Sequence, residues 1–325
     1  MRASAIIRII VYIVVAVVCI SLLIVGLVKG SLRGIRGINL GVINSGWGSD
    51  EGYTAAYEGE VNAKGLSRID IDWISGLVTV EEYDGDTVKF WEENNSSNPD
   101  LQMRYMNANG TLNIHFARNG NINLGFDNVV KKLTVQVPRN LGLSVLKIDA
   151  VSSPVQIDGV SASKLEVDTA SGNISVENIS ADVDIDTVSG DVSLKNVNAD
   201  TVDIDSASGK HNLENVSADR VSLDSVSGDH IFSGLVRRIS CNTTSGRITV
   251  ACDGPIDDAD FDTVSGDATI YLTDDTGFTA RWDSVSGRFN CEFATKSSNN
   301  SATYGDGSAS IKFNTVSGKM SIKER

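Results

Sequence analysis

The sequence predicts an all-β protein, a β-solenoid of about ten rungs, preceded by one transmembrane α-helix. Three observations predict it. A twenty-residue uncharged apolar run lies near the N-terminus, a five-residue string recurs about every 19 residues, and apolar columns persist through all ten recurrences.

The apolar run is Ile9–Val28, IIVYIVVAVVCISLLIVGLV. At about 1.5 Å per residue it spans roughly 30 Å, the hydrocarbon thickness of a bilayer. It ends in GLVKGSLRG, without the small-residue cleavage pattern of a secretory signal, which predicts an uncleaved anchor. Cys19 follows Ala16-Val17-Val18, a poor lipidation box, and reads as an ordinary membrane cysteine. Arg2 and Arg8 before the span nearly balance Lys29, Arg33 and Arg36 after it, so counting Lys and Arg leaves the orientation open. Residues 1–30 are read as a short N-terminal tip and a membrane helix. Residues 31–58 are read as a Gly/Ser-rich stalk with a short strand near Ile38–Ile43.

Residues 59–138 are read as a β-rich entry module covering the first edge of the solenoid. They carry strand-like runs at Asp86–Trp91, Thr111–Phe116 and Lys132–Val137. Residues 139–325 are read as the repeat solenoid. Its string is D-x-x-S-G: DTASG ends at Gly172, DTVSG at Gly190, DSASG at Gly209 and DSVSG at Gly228. NTTSG ends at Gly246, DTVSG at Gly266, DSVSG at Gly287 and NTVSG at Gly318. DWISG at Asp72–Gly76 and DAVSS at Asp149–Ser153 are upstream outliers.

With the glycine (or Ser153) as origin, the position five before it is apolar in all ten units, from Ile71 to Phe313. So is the position four after it, from Val80 to Ile322. The position two before it is apolar except for Thr244, and the reading places it too in the buried ladders. Alternation at period two with β-branched residues is the strand signature. One such unit cannot bury its apolar face alone; stacking in register buries each column continuously, rungs about 4.8 Å apart. Propeller repeats, at about 40–45 residues, are too long to fit.

These columns resemble the bacterial "putative adhesin" family, domains of unknown function with serial T-V-S-G-D units. The resemblance begins at IDIDWISGLVTV near Ile69 and passes through GTLNIHFAR (Gly110–Arg118) and LTVQVP (Leu133–Pro138). It then covers the whole array to Ile322, about 250 residues. It implies a right-handed parallel β-solenoid behind one membrane helix, on the outer side of the cell membrane, with links to envelope stress. It implies no catalytic residues. With the acidic soluble part, it orients the N-terminus inside.

The Asp and Ser columns are read as a turn ladder: Asp168, Ser171 and Gly172; Asp186, Ser189 and Gly190; Asp205, Ser208 and Gly209; Asp224, Ser227 and Gly228; Asp262, Ser265 and Gly266. Asp would accept backbone N–H groups two or three residues on, and glycine would supply positive φ. Asp253, Asp257, Asp258, Asp274 and Asp275 form acidic corners and are the Ca²⁺ candidates, although no EF-hand or glycine-rich nonapeptide is present. The insertion Ala294–Gly307 is the candidate binding loop, through Lys296, Asn299, Asn300, Tyr304 and Asp306. His211 and His230 occupy one column of consecutive units and are read as a stacked, packed pair.

A net charge of −14 argues against nucleic-acid binding, which needs a basic face. Only four Cys exclude a disulfide scaffold. No P-loop, G-x-S-x-G, H-E-x-x-H or C-x-x-C occurs, so no enzyme and no cofactor are expected. The expected role is surface display, adhesion or envelope-stress sensing through a glycan or protein partner. The alternatives are a polysaccharide-active β-helix enzyme and a cytoplasmic polymerising scaffold. The last strand, Lys319–Lys323, is expected to be an uncovered edge through which two copies could associate.

Overall fold

The computed structural model describes residues 42–44, 51–118, 121–123 and 131–325. The span Ile9–Val28, Cys19 and most of the stalk lie outside the described residues. Among the described residues no helix is long and apolar enough to cross a membrane. They are all-β, with one short 3-10 turn at Pro99–Leu101. Val42–Asn44 forms a strand antiparallel to Asn121–Asn123. The described residues fall into two compact units, residues 42–188 and residues 189–325.

In the first unit, Arg68–Ser75 and Leu77–Tyr83 make one rung, folded at Gly76. Gly76 has φ +99°, and an added Cβ would fall on the carbonyl of Lys131. Leu143–Ser152 and Val155–Asp158 stack on this rung in parallel register, Ile148 on Ile71 and Ile157 on Val80. Ala162–Ser171 and Ile174–Ser180 stack on those in turn. On the opposite flank of the rung lie Thr111–His115 and Lys131–Pro138, also parallel, with Ile114 on Ile71 and Val135 on Val80. The first rung in sequence is thus the second in space. The later strands Thr111–His115 and Lys131–Pro138 build the outer one, and the chain then crosses back over the first rung to Leu143.

Beyond that outer rung the pairing turns antiparallel. Thr87–Asn94 pairs with Lys131–Pro138, Arg104–Ala108 with Thr111–His115, and Glu58–Asn62 with Thr87–Asn94. The sheet is therefore mixed, which corrects the expectation of purely parallel pairing. The reason is the open edge: a parallel rung needs a long connection to gain a neighbour, whereas a hairpin covers the edge at once.

In the second unit, Val192–Ser208, His211–Ser227 and His230–Ser245 stack in parallel, with Leu194, Leu213 and Phe232 in one column and Ile204, Leu223 and Cys241 in another. Ile248–Cys252 and Asp258–Ser265 follow, then Ala268–Leu272. Spatial and sequence order then part. The final strands Ala309–Ser317 and Lys319–Glu324 lie between two rungs. They pair with Asp258–Ser265 and Ala268–Leu272 on one side and with Phe278–Ser284 and Arg288–Cys291 on the other. Lys319–Lys323 is an interior strand, which corrects the expected edge. Residues 292–308 make this possible by returning the chain over the rung it has just built.

The two apolar columns are buried throughout the inner rungs, Ile148, Val167, Ile204, Leu223 and Ile270 at 0% exposure. The exceptions, Trp282 and Cys291, are half-buried and belong to the spatially terminal rung. Apart from Ile74 of the first rung, which is 3% exposed, the column two before the glycine is not core. Val188, Val226 and Val264 are half-exposed and Val285 is 53% exposed. Strand parity explains this: the position five before the glycine shares its face with the position three before it. That buried column holds Thr169, Thr187, Ser206, Ser225, Thr243, Thr263 and Thr315.

Candidate functional site

The recurring polar residues form ladders between rungs. In the second unit the Asp/Asn column runs in space as Asp205, Asp224, Asn242, Asp262, Asn314, Asp283. Asn242 Nδ2 donates to Asp224 Oδ1 at 2.6 Å, and Asn314 Nδ2 donates to Asp262 Oδ1 at 2.6 Å. Burial pushes the carboxyls of Asp224 and Asp262 up, and the Asn amides oppose this. These described bonds join neighbouring rungs, where the sequence suggested bonds within one turn.

The residue after the glycine adds a further ladder. Asp191, Asp229 and Asp267 accept the backbone N–H of Lys210, Arg247 and Lys319 at 2.9, 2.7 and 2.8 Å. The recurring Gly-Asp dipeptide was its sequence signal.

The glycine column has the expected cause at some positions and a second one at others. Among the repeat glycines only Gly76, Gly172 and Gly209 adopt positive φ. At Gly228, Gly246, Gly266 and Gly318 an added Cβ would instead strike the carbonyl of the glycine beneath it. Close backbone approach excludes every larger residue.

In the first unit the equivalent column is Asp72, Asp149 and Asp168. Lys147 Nζ bridges Asp149 and Asp168 at 2.8 and 2.7 Å, and His115 Nε2 lies 3.0 Å from Asp72. Burial pushes Asp149 up to about 7, helped by Asp168 and Asp72 and opposed by Lys147. Nearby, Lys131 and Glu92 form a fully buried pair at 2.5 Å. Lys131 also donates to the carbonyls of Leu101 (2.7 Å) and Phe116, with its Nζ 4.8 and 4.2 Å from the ring centroids of Trp73 and Phe116. Burial lowers Lys131 to about 8, against the pull of Glu92. This pair ties the antiparallel strand Thr87–Asn94 to the outer rung.

His211 and His230 pack against each other with ring centroids 4.8 Å apart and planes tilted by 50°, and both are 0% exposed. Ser225 Oγ lies 3.0 Å from His230 Nε2 and donates to Thr243 Oγ1 at 3.0 Å. Burial lowers His211 to about 3 and His230 to about 4.

The acidic corner is drawn into ion pairs. Asp257 bonds Arg237 at 2.7 Å, Asp253 contacts Arg325, and Asp258 lies 3.9 Å from Lys312. Asp274 accepts the Tyr304 hydroxyl through its backbone carbonyl at 3.1 Å. Among the described residues no three His, Cys, Asp or Glu side chains converge as a metal site would require.

The insertion folds as a hairpin, Lys296–Ser298 with Ser301–Tyr304, and Ser301–Tyr304 pairs with Phe278–Arg281 of the terminal rung. Asn300 sits at its turn with φ 52°. Tyr304 packs on Phe278 and Phe293, with ring centroids 5.7 and 4.7 Å away. Asp306 accepts the Ser308 N–H at 3.0 Å. Lys296 and Asn299 are exposed. Past the hairpin, Trp282 and Phe289 stack at 3.9 Å and remain half-exposed. The uncovered aromatic end was not singled out from sequence, because the insertion concealed which rung is terminal.

A model of the family described as Toastrack DUF4097 matches residues 66–323. No curated protein matches the chain. Among solved structures, a "putative lipid binding protein" from Parabacteroides distasonis is similar at 17% identity and TM-score 0.50, covering 84% of this chain and 98% of that one. A "putative adhesin" from the same organism is similar at 15% identity and TM-score 0.43, covering 85% and 99%. A "putative adhesin" from Bacteroides fragilis matches at 14% identity and TM-score 0.40, covering 85% and 98%.

Proposed function

The chain belongs to the Toastrack DUF4097 family, and we propose that it is a non-catalytic β-solenoid, right-handed and anchored by residues 9–28, displayed outside the cell membrane. Its role is surface display, adhesion or envelope-stress sensing through a glycan or protein partner. The observation that carries this reading is the use made of the polar columns. The Asp, Asn and glycine ladders bond or abut their own copies in adjacent rungs. Groups committed in this way build a stiff repetitive frame, which suits presentation of a surface rather than turnover of a substrate. The acidic balance of the chain, with the apolar run ahead of it, favours the extracytoplasmic side.

Protease shaving of intact cells carrying the full chain tests the topology. Loss of the β-domain with retention of an N-terminal stub supports it, and full protection overturns it.

A further inference from the structure

The second unit ends, in space, on a strand covered on one side only. Among the described residues Arg288–Cys291 pairs with Lys319–Glu324 and with no other strand. The N–H groups of Arg288 and Glu292 donate inward to Gly318 and Ile322 at 3.2 and 3.0 Å. Strand alternation therefore points the N–H and C=O of Phe289 and Cys291 outward. Beside this edge the core itself is open. Trp282 and Phe289 stack face to face, 3.9 Å apart and 5° from parallel, half-exposed in columns that inner rungs bury. The capping hairpin pairs with Phe278–Arg281 and reaches Trp282 through its backbone N–H, which donates to the Asn300 carbonyl at 3.2 Å, and it leaves the Trp282–Phe289 stack half-exposed.

We propose that this edge is a self-association site, two copies pairing their Arg288–Cys291 strands antiparallel about a two-fold axis through Asn290. A two-fold contact must be complementary to itself, and this segment is. With the axis on Asn290, Phe289 of one copy faces Cys291 of the other, and these are the residues whose backbone groups point outward. Arg288 of each copy then faces Glu292 of the other, both exposed, giving two ion pairs of opposite charge across the axis. Moving the axis to Phe289 or Cys291 sets Arg288 or Glu292 opposite Asn290 and loses both charge pairs. The docked register also brings the two Trp282–Phe289 stacks under cover.

The full chain in detergent micelles, its protein mass followed by light scattering over a wide range of concentration, tests the proposal. The expected result is a monomer–dimer equilibrium. Arg288→Glu or Glu292→Arg alone is expected to weaken it about tenfold or more, since each places like charges face to face. The double variant Arg288→Glu with Glu292→Arg is expected to restore it. Both residues are exposed, so melting curves should match the parent within about a degree or two. A monomer at every concentration overturns the proposal. So does a dimer that both single variants leave unchanged, or one that the double variant does not restore.

Discussion

Asn242 and Asn314 each sit between two aspartates once the rungs are placed in space: Asp224, Asn242, Asp262, Asn314, Asp283. Each amide keeps two part-buried carboxylates apart and donates to one of them. Asn314→Asp would line up three carboxylates at rung spacing and remove a donor. It is expected to destabilise the domain by about 1–3 kcal/mol at pH 7, and by less at pH 5, because lower pH relieves repulsion in a column where burial already pushes the Asp262 carboxyl up. Urea unfolding at the two pH values checks this. His211 and His230 give the opposite pH trend. Their folded pKa values, about 3 and about 4, lie below the ordinary 6.5, so the unfolded chain binds protons first. Their contribution to stability is therefore full above about pH 6.5 and is lost as pH drops toward 4. His211→Phe is expected to flatten that fall, read as melting temperature against pH.

Each rung is a strand–corner–strand element, and its corner is set by backbone contact. The glycine of one rung lies against the glycine carbonyl of the next, so a methyl group has no room at Gly266 over Gly246. Gly266→Ala is expected to cost roughly 2–3 kcal/mol, because the obstacle is backbone and cannot rotate away. Ser265→Ala, one residue earlier and exposed, is expected to change stability by less than about 0.5 kcal/mol. Chemical denaturation of the two variants compares them directly. The same elements show the parity of the core. A buried hydroxyl column follows the apolar one on the inner face, while valines two before the glycine stand half in solvent. An inward threonine fills a valine-sized site, and at one place the hydroxyls join neighbouring rungs, where Ser225 Oγ donates to Thr243 Oγ1.

At the scale of the molecule, each unit holds one rung out of sequence order, inside its stack. Rung 68–83 lies between strands from 111–138 and 143–158, and rung 309–324 lies between 258–272 and 278–291. An insertion at each place lets the chain overshoot by one rung and return. Removing residues 309–325 therefore deletes an interior rung. The expected result is loss of amide protection across 278–291, with weakened protection at 258–272, in hydrogen exchange of the full chain. A stack built in sequence order would lose only its last rung and keep 278–291 protected. Such long-range pairing also predicts slow folding, since the final strands must enter a slot whose walls are already in place.

Periodicity along the chain is enough to set the β class, the length of the rung, the two apolar columns and the recurrence of Asp, Ser and glycine. All of these are periodic properties of a chain whose side chains alternate faces. It also marked the two irregular spacings, between Gly76 and Ser153 and between Gly287 and Gly318. It did not say where the chain goes during them. That was decided by edges: an uncovered parallel rung leaves backbone groups without partners, and satisfying them draws in hairpins and returning strands from distant sequence. Hence the tertiary structure alone decided that Lys319–Lys323 is interior, that Arg288–Cys291 is the open edge, and that Asn314 separates Asp262 from Asp283. Neighbours in a stack are chosen by which backbone hydrogen bonds can be completed, and order along the chain constrains that choice only where the connection is short.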